Sequence, residues 1–153
     1  MIKKLKSILH RLRNAAIAAN DSVAGTHPQG LVPLLSSAAI AARYLLVSLS
    51  SGKALTGTAA DEPVGIAQDS AAAADQLVPV AVLGNTPGTL LMTAGGAISI
   101  GDKVYAAAGG KVTVKPSSGT CWCVGTAISA ALADGDIIEV IHRTPVSETV
   151  SGS

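Results

Sequence analysis

An all-β barrel or sandwich made of two similar halves and preceded by a helical arm is the fold this sequence predicts, on three observations. From about residue 38 onward, short β-rich runs alternate with turn residues. Two segments, VGIAQDSAAAADQLVPVAVL at 64–83 and VGTAISAALADGDIIEVIHR at 124–143, align without a gap. The first thirteen residues have the periodicity of a helix instead of a strand.

The arm comes first. Ile2, Leu5, Leu9, Leu12 and Ala16 recur at spacings of three and four, which lines one face of a helix over residues 1–20. Lys3, Lys4, Lys6, Arg11 and Arg13 occupy the other face without an acid among them, so the rest of the chain is net acidic although the whole carries +1. A basic amphipathic helix of this kind packs on copies of itself, lies on an acidic surface or addresses the chain. Its charges run through to Arg13 and the stretch is polar by Asn20, which does not fit a secretory signal. Residues 21–37, with NDSVAGTHPQGLVP, lose periodicity and gather Gly, Pro, Asn and Asp, the composition of a linker.

The body is expected over 38–144, with halves at about 38–95 and 96–144. Its strand candidates are ARYLLVSLS, VGIA, QLVPVAVLG, TLLMTA, AISI, DKVYAAA, KVTVKP, CWCVGTA and DIIEVIHR. The Ala-rich SAAAAD and SAALAD between them are candidates for one helical turn each, Ala being the best helix former. The tail, 145–153, is polar and expected to be loose.

In the sixty-residue alignment Val64 stands over Val124, Gly65 over Gly125, Ala67 over Ala127, Ala71 over Ala131, Ala73 over Ala133 and Val80 over Val140. Farther upstream, Gly52-Lys53 matches Gly110-Lys111 and Ile40 matches Ile100. Two copies are too few for a solenoid, and the expectation is two β-units closing on each other over one shared core. Within V-G-x-A, a strand-interior Gly permits a close approach of neighbouring backbone, and Ala two residues on keeps the same face small.

Composition narrows the function. The chain is 48% apolar but 2% aromatic, with no Phe and 14% charged residues. So few aromatics argue against single-stranded nucleic-acid binding by base stacking, and a net charge of +1 against bulk attraction to phosphate. No apolar run reaches the roughly 18 residues of a membrane helix.

The chemistry of catalysis is missing as well. No glycine stretch has the Lys-Ser/Thr pair of a phosphate loop. His10 falls in the arm, His27 in the linker and His142 on a strand face, so no serine has a base in evident reach. Cys121 and Cys123 flank Trp122 on one strand face and read as core residues, since a tetrahedral metal site needs two further ligands. Asp61, Glu62, Asp69, Asp75, Asp102, Asp134, Asp136 and Glu139 lie mostly in turns, where solvated loop acids belong. No enzyme activity, cofactor or metal is expected.

Four phrases then follow in order: Val64-Gly65-Ile66-Ala67, Gly101-Asp102-Lys103-Val104-Tyr105, Gly110-Lys111-Val112-Thr113 and Val124-Gly125-Thr126-Ala127. In this order they resemble the capsid decoration (cement) proteins of tailed bacteriophages, over roughly residues 40–142. The resemblance implies a β-barrel or β-tulip body on the outside of the phage head, made in the host cytoplasm. It implies a homo-oligomer, a trimer before a dimer, that bridges major capsid protein subunits, with no membrane or nucleic-acid partner. The basic arm departs from the short extended N-terminus usual in such proteins. Ile2, Lys3, Lys4, Leu5, Leu9, Arg11, Leu12 and Arg13 are accordingly the candidate contacts to capsid or neighbouring copies. The alternative is the base of a head fibre or spike that presents a receptor- or surface-binding partner.

Overall fold

The computed structural model describes residues 27 and 29–152. The expected helical arm, with all eight candidate contact residues from Ile2 to Arg13, lies outside them. Among the described residues the chain is mostly β, with one short 3-10 turn at Ala108–Gly110 and two sheets.

The first sheet is made of β1 (Leu31–Leu35), β2 (Leu46–Ser50), β3 (Lys53–Thr56), β4 (Gly65–Ala67) and β5 (Leu77–Val82) in the order β1-β5-β4-β2-β3. The second is made of β6 (Leu90–Gly95), β7 (Lys103–Ala106), β8 (Val112–Thr113), β9 (Gly119–Ala127) and β10 (Asp134–Val150). Its pairings run β10-β6-β8-β7-β9 and return to β10, closing the circuit through the parallel pair Ala94↔Val112.

Strand by strand, the second sheet repeats the first. Ile66↔Ala81 in the first corresponds to Thr126↔Ile141 in the second, Leu34↔Val78 to Met92↔Ile138, and Ser48↔Leu55 to Tyr105↔Thr113. Even the closing pair has a counterpart: Ser36 and Ala54 form a parallel bridge 58 residues before Ala94 and Val112, so β3 meets the end of β1. Both units therefore satisfy their edges in the same way, which leaves little open ladder for unwanted pairing.

The loops repeat too. Gln76 Oε1 accepts from the backbone N–H of Ala72 at 2.6 Å, and sixty residues on Asp136 Oδ2 accepts from Leu132 N–H at 2.8 Å. Asp136 Oδ2 also accepts from Ala133 N–H at 3.0 Å, and the two donors, Leu132 first and then Ala133, hold the Asp136 carboxyl below its ordinary value. Lys53 pairs with Asp75, and Lys111 with Asp134 at 2.6 Å. These bonds explain why SAAAAD and SAALAD are not helical turns. Ala71 exchanges backbone bonds with Ile40, and Ala131 with Ile98, so each Ala-rich loop is pinned as a bridge before its side-chain acceptor closes it. The counterpart of Ile40 is thus Ile98, not Ile100, because the offset shortens from sixty residues to 58 upstream.

Boundaries differ from the sequence reading at three places. Residues 31–35, placed in the linker, form β1. TLLMTA belongs to β6 and so to the second unit, pairing with β10. The tail continues β10 to Val150, where Val146, Glu148 and Val150 pair with Cys123, Cys121 and Gly119.

Among the described residues the interior is two large clusters and a small third one, Tyr105, Cys121 and Cys123, where one shared core was expected. Ile40, Val47, Ala54, Ala67, Ala71, Val78 and Val80 fill the first unit. Their counterparts Ile98, Val104, Val112, Ala127, Ala131, Ile138 and Val140 fill the second. Leu46, Ile66, Ala81 and Leu83 alternate with the first set and point out of the first unit, yet they are buried in the cluster of the second. One face of the first unit thus caps the second, and Leu46, Ile66 and Leu83, removed from water, contribute about 1.5–3 kcal/mol each.

Candidate functional site

Chemistry-bearing residues are scattered. Among the described residues no group of three or more His, Cys, Asp or Glu is placed to hold a metal, and no helix is long and apolar enough to cross a membrane. Cys121 and Cys123 are both buried, packed with Tyr105 and Val150, and Cys121 Sγ donates to the Glu148 carbonyl at 3.5 Å. Burial pushes the Cys121 thiol up, which makes it a poor nucleophile. Burial, followed by the neighbouring Cys123 and Glu148, pushes the Tyr105 phenol up to about 12. Its hydroxyl lies 3.3 Å from Glu148, whose carboxyl the hydrogen bond from Lys115 holds below the ordinary range. This is a neutral phenol anchoring the β9–β10 ribbon.

His142 is equally structural. Its Nδ1 accepts from the Gly84 backbone N–H at 2.9 Å, across the junction of the two units. His27 is exposed. Asp69, Asp75 and Asp102 lie in or next to turns, as loop acids do, whereas Asp134, Asp136 and Glu139 belong to β10.

Two features remain as surfaces for association. The first is a groove of about 620 Å³ lined mostly by the first unit, with Leu49, Leu55, Val64 and Val82 on its walls, Asp61 and Glu62 on its rim, and Thr144 and Pro145 of β10 beside them. Both acids read as solvated loop residues in the sequence and the groove is not visible there, because Val82, Thr144 and Pro145, which help to line it, are far from them along the chain. The second is an outer row on the second unit, Lys103–Thr126–Ile141, with Arg143 beyond it. Its counterpart on the first unit is the buried row Leu46–Ile66–Ala81, with Leu83 beyond. A comparison of the two repeats for polarity on the outward face would have found this row in the sequence.

The candidate contacts Ile2, Lys3, Lys4, Leu5, Leu9, Arg11, Leu12 and Arg13 precede β1, which enters the fold beside the groove. Gly30 accepts a backbone bond at 2.8 Å from Val82, one of the groove residues.

Comparison with known proteins gives one family. The model of the phage cement protein family matches residues 63–142, from the turn before β4 into β10. No curated protein and no solved structure matches the chain. The match takes in just over half of the chain and includes all four phrases that carried the resemblance, so the chain belongs to the phage cement protein family, whose role is structural and associated with the capsid.

Proposed function

We propose that this protein binds the outer surface of a phage head as a homo-oligomer, a trimer before a dimer, and stabilises the shell by bridging major capsid protein subunits. The family match over residues 63–142 is the observation that carries the reading. The architecture supports it. Each unit reads as a small barrel, and the two share a junction stitched by backbone bonds such as Thr93 N–H to Tyr44 O at 3.0 Å and Gly110 N–H to Gly57 O at 2.8 Å. A body of this kind transmits load between the subunits it touches without deforming. Weak contacts repeated around a closed shell then add by multivalency.

The arm, residues 1–20, is the anchor in this reading: its apolar face packs on the capsid or on neighbouring copies, and Lys3, Lys4, Arg11 and Arg13 make contacts sensitive to salt. Co-sedimentation with expanded, undecorated heads across a salt series tests both statements. Saturation at a fixed ratio to the major capsid protein is expected, with binding abolished by deletion of residues 1–20 while the body stays folded. Absence of saturable binding at every salt concentration sinks the function; unchanged binding by the deleted form sinks the arm's role alone.

A further inference from the structure

The junction between the two units is a head-to-tail contact, and among the described residues one copy of each of its two sides is left uncovered. On one side is the outward row of the first unit, Leu46–Ile66–Ala81, all buried against the second unit. Its counterpart, Lys103–Thr126–Ile141, faces solvent, with Ile141 55% exposed. The other side is the end of the second unit that the first covers. There His142 bonds Gly84, Trp122 Nε1 donates to the Ala60 carbonyl at 3.1 Å, and Gly110 crowds Leu46 and Leu45. Their counterparts in the first unit are Val82, Glu62 and Gly52. The first two lie in the groove, and a methyl group built on Gly52 would meet nothing within 4 Å, whereas on Gly110 it would lie 2.7 Å from the Leu46 carbonyl oxygen. Among the described residues, the groove is the uncovered equivalent of a covered surface.

We infer that the groove of the first unit receives the Lys103–Thr126–Ile141 face of a second copy, so that the contact within the chain is repeated between chains. Charge supports this occupant: the groove carries Asp61 and Glu62 on its rim, and the free face carries Lys103 and Arg143. Within the chain the same contact is apolar, with Leu46 and Leu83 where the free face has Lys103 and Arg143. The exchange makes sense physically. A permanent contact tolerates full burial of leucine, while a face that stands in water before assembly is kept soluble by its charges and steered by them to an acidic partner. A head-to-tail contact closes into a ring when its rotation permits and otherwise grows into a filament. In a trimer, contacts within chains and contacts between chains would alternate round the ring.

This inference rests on the reading that the body assembles with copies of itself, and its test needs no phage heads. Analytical ultracentrifugation of the full chain over a wide concentration range reads the association. Asp61→Lys/Glu62→Lys places like charges across the contact, and Lys103→Glu/Arg143→Glu does the same from the other side. Each pair is expected to weaken association by about 100-fold. All four substitutions in one chain restore opposite charges and are expected to bring association back to within about tenfold of the starting protein. Removal of residues 1–20 is expected to leave it in place. Thermal melts of each variant confirm that the body is folded. A wild-type chain that stays monomeric throughout, reversed pairs that associate as before, or a fourfold variant as weak as either pair would each overturn the inference. A monomer that still saturates heads would overturn this contact and leave the capsid-binding reading standing, whereas an oligomer that ignores heads would do the reverse.

Discussion

Gly65→Ala and Gly125→Ala should each destabilise the protein by about 3 kcal/mol or more, at the upper end of what overpacking a core costs. A methyl group on Gly65 would lie 2.5 Å from both the Ala81 carbonyl oxygen and Val80 Cγ1. On Gly125 it would lie 2.5 Å from the Ile141 carbonyl oxygen and 2.6 Å from Val140 Cγ1. The obstruction is backbone of the adjoining strand in both units, so relief requires β4 to part from β5, or β9 from β10. Neither glycine has a positive φ, so the cost is steric and does not arise from backbone strain. Gly96 is the control: a methyl there meets nothing within 4 Å, its φ is ordinary, and Gly96→Ala should change stability by less than about 1 kcal/mol, toward a gain. Urea unfolding of the three variants reads the contrast. A loss below about 1 kcal/mol at Gly65 or Gly125 would mean that the strands are not held this close.

Ile138→Ala should cost about 2–5 kcal/mol, the usual range for removing a fully buried isoleucine, because the closed ladder around it leaves its neighbours little room to collapse. Val78→Ala at the equivalent place in the first unit should cost less, since fewer methyl groups leave a core of the same design. Both variants should still unfold in a single transition, because Leu46, Ile66, Ala81 and Leu83 of the first unit are part of the core that Ile138 fills. Two separated transitions by calorimetry would show that the units are independent and that the shared face contributes little.

The repeated V-G-x-A and the strands that follow it were legible in the sequence because alternation survives there: Ala67, Val78 and Val80 face inward, and Ile66 and Ala81 outward. β1 was not legible, since Pro33 amid Gly and Pro reads as linker. It is tolerated because Pro33 faces Pro79 at a position between the bonded pairs. Val82 donates to Gly30 and Ser36 to Gln76 on either side, and neither proline is asked for an N–H there. β3 is absent from the strand candidates because KALT is short and unremarkable by itself. It is fixed by pairing with β2 and by the bridge from Ser36.

The continuation of the last strand beyond Arg143 is hidden for a different reason. Pro145 and a polar run hide an alternation that becomes visible only once β9 is beside it, and the register shifts between His142 and Val146 where that proline sits. Of the candidate surfaces, the loop acids Asp61 and Glu62 are individually ordinary. Their meaning comes from Val82, Thr144 and Pro145, which only the fold brings near them.

The most direct test of the central claim, that this protein holds a phage shell together, is the temperature at which expanded heads disrupt, measured with and without saturating protein. The account predicts a rise that grows with occupancy and disappears when bound protein is released. Heads that bind the protein to saturation yet disrupt at the same temperature would contradict it.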